Sequence, residues 1–172
     1  MKAWIVLMAL FAAPAFAADA PMTVTRPVQG QTILSGALPA ARLTVAPDLP
    51  YLAGQHFLLN GRTDVEQFFF ADADRNGQIA RMVWVQFEHK LPGDGGRYDY
   101  PPAPLTAIGG LSFVHDTKVY TDYAGLKPAA GSDVEMARAL LAAHGLHLPA
   151  AASRVRMFHM PTQDNRSELM LI

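Results

Sequence analysis

Two Asn-Gly pairs constrain this chain more than any other feature. They fall at Asn60-Gly61 and Asn76-Gly77, inside the stretch YLAGQHFLLNGRTDVEQFFFADADRNGQIARMVWVQFEHKL, Tyr51 to Leu91. Asn and Gly both tolerate the positive φ that tight hairpin turns require. The pairs separate three runs rich in β-branched and aromatic residues: Leu52 to Leu59, Asp64 to Ala73, and Gln78 to His89. Three such runs joined by two tight turns predict a three-stranded antiparallel meander.

The third run shows where that meander sits. Ile79, Val83, Val85 and Phe87 fall on one side, interrupted by Arg81, while Met82, Trp84, Gln86 and Glu88 fall on the other. Bulk on both faces predicts a central strand covered from both sides. The second run agrees, with Phe68 and Phe70 on one face and Phe69 on the other.

Further along, LPGDGGRYDYPPAPLTAIGG, Leu91 to Gly110, is rich in Pro and Gly and reads as a long loop. LSFVHDTKVYTDY then suggests a hairpin-like pair turning at Asp116-Thr117. One helix is well signalled. Ser132 and Glu135 form an S-x-x-E capping box, Val134, Ala137, Leu140 and Leu141 share a helical face, and Gly145 follows as a stop. Two closing runs, Arg154 to Met160 and Ser167 to Ile172, predict a final hairpin. Before the meander, Ala18 to Gly36 reads as a loose lead-in or edge strand, and RLTVAP alternates briefly from Arg42 to Pro47. These elements predict an α+β fold: six to eight antiparallel strands, meander-rich, in a strongly twisted sheet or partly open barrel packed on one main α-helix.

The N-terminus carries the signature of export. Lys2 supplies a positive start, Ala3 to Ala13 is a short apolar run, Pro14 breaks it, and Ala15-Phe16-Ala17 gives a small-x-small cleavage pattern. The run is shorter than the roughly 20 apolar residues that a membrane-spanning helix needs. Residues 1–17 therefore read as a signal peptide and 18–172 as one exported domain, periplasmic or secreted, with no transmembrane segment after cleavage. The chain has 14 basic residues against 15 acidic ones, a balance that argues against nucleic-acid binding. It has no cysteine, which removes thiolate chemistry, disulfides and cysteine-held metal centres. An apolar fraction of 51% against 17% charged supports a real core.

Several stretches invite a chemical reading. In DADRNG, the residues Asp72, Asp74 and Asn76 stand where a calcium loop has its first, third and fifth ligands, with Gly77 at the turn. The final position, which needs a bidentate Glu, is Val83, so the stretch reads as a hairpin tip, with a weak surface calcium site as the alternative. Met157 to Met160, MFHM, lacks the repeated spacing that copper ligation uses, and His144 and His147 straddle a glycine at a helix end. Ser112 has His115 and Asp116 nearby in sequence, but neighbours on a strand alternate sides and do not converge as a triad.

The most suggestive polar group is on the central strand. Gln86 and Glu88 share a face with Trp84. A buried carboxylate must be paired or held neutral. Arg154, Arg156 and Arg166 are available partners, so an Arg–Glu clamp, or exposure of Glu88 at the strand end, is the simpler expectation. The functional expectation makes Trp84, Gln86 and Glu88 anchors in an apolar pocket, with Tyr98 and Tyr100 of RYDYPPAP as a lid, a partner surface, or a tack holding the loop to the sheet. The chain as a whole then reads as a non-enzymatic exported protein without a cofactor, binding a small apolar ligand or an envelope protein in a cupped sheet. The alternative is a hydrolase or isomerase with Glu88 as general acid–base.

Overall fold

Asn60 and Gly61 both take positive φ, 54° and 65°. They turn strand Tyr51–Leu59 back on strand Thr63–Ala73. Gly77, at φ 83°, closes the second turn, which leads into strand Ile79–Lys90. The predicted meander is present. The computed structural model describes residues 22–172, so the export signal read at 1–17 lies outside the described residues.

In chain order the strands are β1 (Val28–Gln29), β2 (Thr32–Ser35), β3 (Ala41–Thr44), β4 (Tyr51–Leu59), β5 (Thr63–Ala73), β6 (Ile79–Lys90), β7 (Leu105–Ile108), β8 (Leu111–Tyr120), β9 (Ala152–His159) and β10 (Ser167–Leu171). The helix α1 spans Asp133–Ala143, between β8 and β9. β1, β2 and β3 form a small antiparallel sheet, and the other seven form a large one in the order β4-β5-β6-β10-β9-β8-β7. The large sheet is open, with β4 and β7 at its edges, and does not close into a barrel. Ten strands against one helix among the described residues make the protein mostly β, so α+β describes it only loosely. No helix among the described residues is long and apolar enough to cross a membrane.

Two expectations about strands are corrected. The lead-in and RLTVAP are not a loose edge but the separate three-stranded sheet, which raises the count above eight. The chain does not turn at Asp116-Thr117 either. Leu111 to Tyr120 is one continuous strand, and the turn lies earlier, at Gly109 and Gly110, both with positive φ. Polar side chains at 116 to 118 imitate a turn because Asp116 faces Arg156 across β8 and β9 and Lys118 faces Arg154.

Each face of the large sheet carries its own core. Phe68, Phe70, Val85, Phe87, Phe113 and Leu169 pack against Ile33 and Leu49, which cover one face together with the small sheet. Phe69, Ile79 and Trp84 pack against Ala137 and Leu141 of α1 on the other face. Ile79, expected beside Val83, is moved across by the irregularity that pairs Asp72 with Arg81 but Ala73 with Ile79. Alternation along β5 feeds both cores, and a fully buried phenylalanine stabilises the fold by about 1.5–3 kcal/mol. The small sheet is further pinned by Arg26, whose guanidinium pairs with Glu66 of β5 and lies 3.9 Å from the Phe87 ring centroid.

The helix is held at both ends. Ser132 Oγ accepts from Glu135 N at 3.2 Å, one half of the predicted capping box. Glu135 returns the bond to Gly131 N–H at 2.6 Å rather than to Ser132. At the far end Gly145 adopts φ 73° and Leu146 N–H donates to Leu141 O at 2.9 Å. The following segment docks on the second hairpin. His147 N–H donates to Gly77 O at 2.9 Å and Ile79 N–H donates to His147 O at 3.0 Å.

Candidate functional site

β10 completes the candidate site. It lies in the large sheet between β6 and β9, and its register sets Glu168 directly opposite Glu88 and Met170 opposite Gln86. In such a pair the Cβ atoms stand about 4.5–5.5 Å apart. Both glutamates are buried on the helix side of the sheet, Glu88 8% exposed and Glu168 1%. Neither is clamped by arginine, which corrects the simpler expectation of a clamp or of exposure. Arg156 forks onto Asp116, its Nε donating at 3.0 Å. Arg166 donates to the carbonyls of Asp94, Leu91 and Lys90 at the base of the tyrosine loop. Arg154 makes no ion pair among the described residues.

Tyrosines take the place of arginine. Tyr98 Oη donates to Glu88 Oε2 at 2.6 Å, and Tyr100 Oη donates to Glu168 Oε1 at 2.5 Å. The loop from 91 to 104 crosses the helix side of the sheet and lowers both side chains onto the carboxyl pair. Tyr100 also stacks on Phe158 of β9, with ring centroids 4.1 Å apart. Of the roles open to these tyrosines, tacking the loop to the sheet is the one observed, and both also line the cavity described below.

A line of amides supports Glu88 from the other side. Gln55 Nε2 donates to Gln67 Oε1 at 2.5 Å, and Gln67 Nε2 donates to Gln86 Oε1 at 2.8 Å. Gln86 Nε2 in turn donates to Glu88 Oε1 and, at 3.1 Å, to Asp133 Oδ2 at the start of α1. Each amide spends its oxygen on the previous donor, so the line has one direction and ends on a carboxyl acceptor.

Burial shifts the titration of this group. Removal from water pushes the Glu88 carboxyl above its ordinary value, against the hydrogen bonds from Tyr98 and Gln86. For Glu168, burial is again the first cause; Glu88 and Asp133 add to it, and the carboxyl is pushed up to about 7. Burial and the neighbouring carboxyls push both tyrosine hydroxyls well above their usual range, so they stay protonated and donate.

These groups open on a cavity of about 310 Å³ between α1, the tyrosine loop and the sheet. Met170 and Ile172 face it from the centre of the sheet, Trp84 from β6, Phe158, Arg156 and Arg154 from β9, and Val134 from α1. Trp84, Glu88, Tyr98 and Tyr100 all line it, while Gln86 stands behind Glu88. Sequence reasoning missed Glu168, Gln67 and Asp133. The alternation of SELML, which pairs Glu168 with Met170 on one face of a central strand, is the signal that points to the first of these.

A larger groove, of about 590 Å³, lies on the opposite face between β3 and the β7–β8 end. Leu43, Val45, Val83, Val85, Leu111 and Phe113 line it, with Arg42 as its charged residue. It holds no buried titratable group to orient a ligand, so size and chemistry point to different faces.

The remaining candidates have ordinary partners. Asp74 Oδ1 accepts from the backbone N–H of Asn76 and Gln78, at 2.8 and 2.9 Å, and Asp72 accepts from Arg81 at 3.2 Å. Asp72, Asp74 and Asn76 thus meet at one hairpin tip, and no three His, Cys, Asp or Glu side chains cluster as a metal site among the described residues. Ser112 is exposed on β8, and Met157 packs against the core on the small-sheet side. No family model, curated protein or solved structure matches this chain.

Proposed function

We propose that this protein binds a small organic ligand in the cavity between α1, the tyrosine loop and the large sheet. The observation that carries the reading is the Glu88–Glu168 pair. Two carboxyls are taken out of water without a cation to neutralise them, are satisfied by tyrosine hydroxyls and an amide, and line a cavity of ligand size. Aromatic and aliphatic walls supply the apolar contact, and the carboxyls supply orientation. The signal-like sequence at 1–17 supports export to the periplasm or beyond, with the ligand met there.

Native mass spectrometry tests this, comparing the wild-type chain with Val134→Trp, which fills the cavity from the helix. An organic adduct on the wild type that is missing from the variant is the expected result. Apo spectra for both, with no compound in a small-molecule panel raising the wild-type Tm more than the variant's, overturn the reading.

A second reading, general acid–base catalysis, has one specific observation in its favour. The Glu168 carboxyl, pushed up to about 7, can both give and take a proton near neutrality. This moves the proposed acid–base role from Glu88 to its partner. Incubation of the bound compound in deuterium oxide tests it: exchange of a carbon-bound proton that stops in Glu168→Gln supports catalysis, and no exchange in the wild type removes it.

A further inference from the structure

The cavity has a second end, well away from the carboxyl pair. Trp84 lies four residues before Glu88 on β6, about 13 Å along the strand. Its indole is 4% exposed, and Nε1 has no hydrogen-bond partner among the described residues. Arg154 shares the condition: its Nε is buried and equally without a partner. Both residues line the same cavity. A buried donor left unpaired costs about 1–3 kcal/mol, and here two such donors belong to side chains that line one cavity.

Charge points the same way. Register places Lys118 directly opposite Arg154 across β8 and β9, with both side chains against the Tyr120 ring, 4.9 and 5.1 Å from its centroid. Neither cation has an ion-pair partner among the described residues. Like charges directly opposite on paired strands destabilise the pairing, and an anion between them reverses the sign. The neighbouring Arg156 is already occupied by Asp116.

The sheet also leaves room there. β10 ends at Leu171, while β6 begins at Ile79 and β9 at Ala152. A second cavity of about 390 Å³ lies between Met82 on β6 and Arg154 on β9. Arg154, Tyr123 and Ile172 border both cavities.

We infer that the ligand is a small organic carboxylate whose oxygens accept from Trp84 Nε1 and Arg154, with Lys118 as the second positive charge and the apolar body lying over Ile172 and Met170. Arg154 and Lys118 fix the orientation, since they draw the ligand's charged end toward β9 and away from the carboxyl pair. This rests on the cavity being a ligand site.

Phenylacetate and phenylacetamide test it, because they differ in the charge and acceptor capacity of one end only. The protein is the full chain carrying Trp4→Phe, which leaves Trp84 as its single indole. Phenylacetate is expected to change Trp84 emission saturably and to bind about tenfold or more tightly than the amide by calorimetry. Arg154→Gln, and the surface substitution Lys118→Gln, are each expected to narrow that preference. Equal affinity for the two probes overturns the carboxylate inference and leaves the cavity reading standing. A preference that neither substitution narrows overturns it as well. Binding of neither probe also overturns it, and the native mass spectra then decide separately whether the cavity takes a ligand of another class.

Discussion

Glu88 on β6 and Glu168 on β10 face each other across one strand pair, and each receives the hydroxyl of a different tyrosine from one loop. Tyr98 and Tyr100 are two positions apart, as are successive side chains on one face of an extended chain. The loop therefore presents both hydroxyls together, and loop and sheet share one polar contact.

The pair makes stability pH-dependent with a definite sign. The Glu168 carboxyl rises from an ordinary 4.5 to about 7 on folding, so the folded state holds the proton more tightly. Its contribution is fully present below the unfolded value and is lost as pH rises through the folded value. Stability should therefore fall between about pH 4.5 and 7, by an amount on the order of 3 kcal/mol from this group. Glu168→Gln should flatten that decline and raise Tm at pH 8, while changing little at pH 4.5. His56, also raised, acts with the same sign above its ordinary 6.5, so the difference between wild type and variant is the quantity to follow by thermal unfolding.

Tyr98→Phe should destabilise the protein by about 1–3 kcal/mol, because Glu88 Oε2 loses its donor while remaining buried. The Glu88 carboxyl should move still higher. Denaturant unfolding of Tyr98→Phe and of Tyr98→Phe with Glu88→Gln checks this: a smaller loss in the double variant is expected, since a neutral amide needs the donor less.

Two glycines that look alike in sequence should behave differently. Gly61 and Gly77 both hold positive φ, 65° and 83°. A Cβ at Gly61 meets open space, whereas one at Gly77 collides with the Gly145 carbonyl oxygen just beyond α1. Gly61→Ala should cost about 1 kcal/mol from backbone strain alone. Gly77→Ala should cost clearly more and should loosen the hairpin from the helix end, read as faster amide exchange at Ile79 and His147.

Phe69→Ala should cost about 3–5 kcal/mol, the range for emptying a buried aromatic site. Its ring centroid lies 5.4 Å from that of Trp84, so the loss should come with a change in Trp84 emission. Phe68→Ala should cost a similar amount without that spectral change, since its ring packs in the other core against Phe87, 6.1 Å away.

The parts of the fold legible in the sequence are those fixed by local chemistry. Asn60-Gly61 and Asn76-Gly77 announce the meander because tolerance of positive φ is a property of the residues themselves, used at Asn60, Gly61 and Gly77, and Ser132 announces its helix for a similarly local reason. The small sheet was not legible: β1 to β3 are two to four residues long, and their pairing depends on Phe68 and Phe87 lying beneath them. The site was half legible. Gln86 and Glu88 stand out on a strand with apolar faces, but the identity of their neighbour is a matter of register between β6 and β10, which no local pattern encodes. Arg166 looked like a counter-ion for Glu88 and is spent on loop carbonyls instead.

Phe68, Phe69 and Phe70 turn β5 into a party wall loaded from both rooms. The wall cannot shift toward one core without opening a void in the other, because interiors packed this densely transmit displacement. Gln67 extends from the same strand to Gln86 and to the Asp133 carbonyl, so the wall also carries the polar floor under α1. Changes in the small sheet, on the far side from the cavity and touching none of its lining, should therefore be felt in its shape. A shorter side chain at Ile33, which packs with Phe68 and Phe70, should let β5 settle outward and draw the amide line away from Glu88.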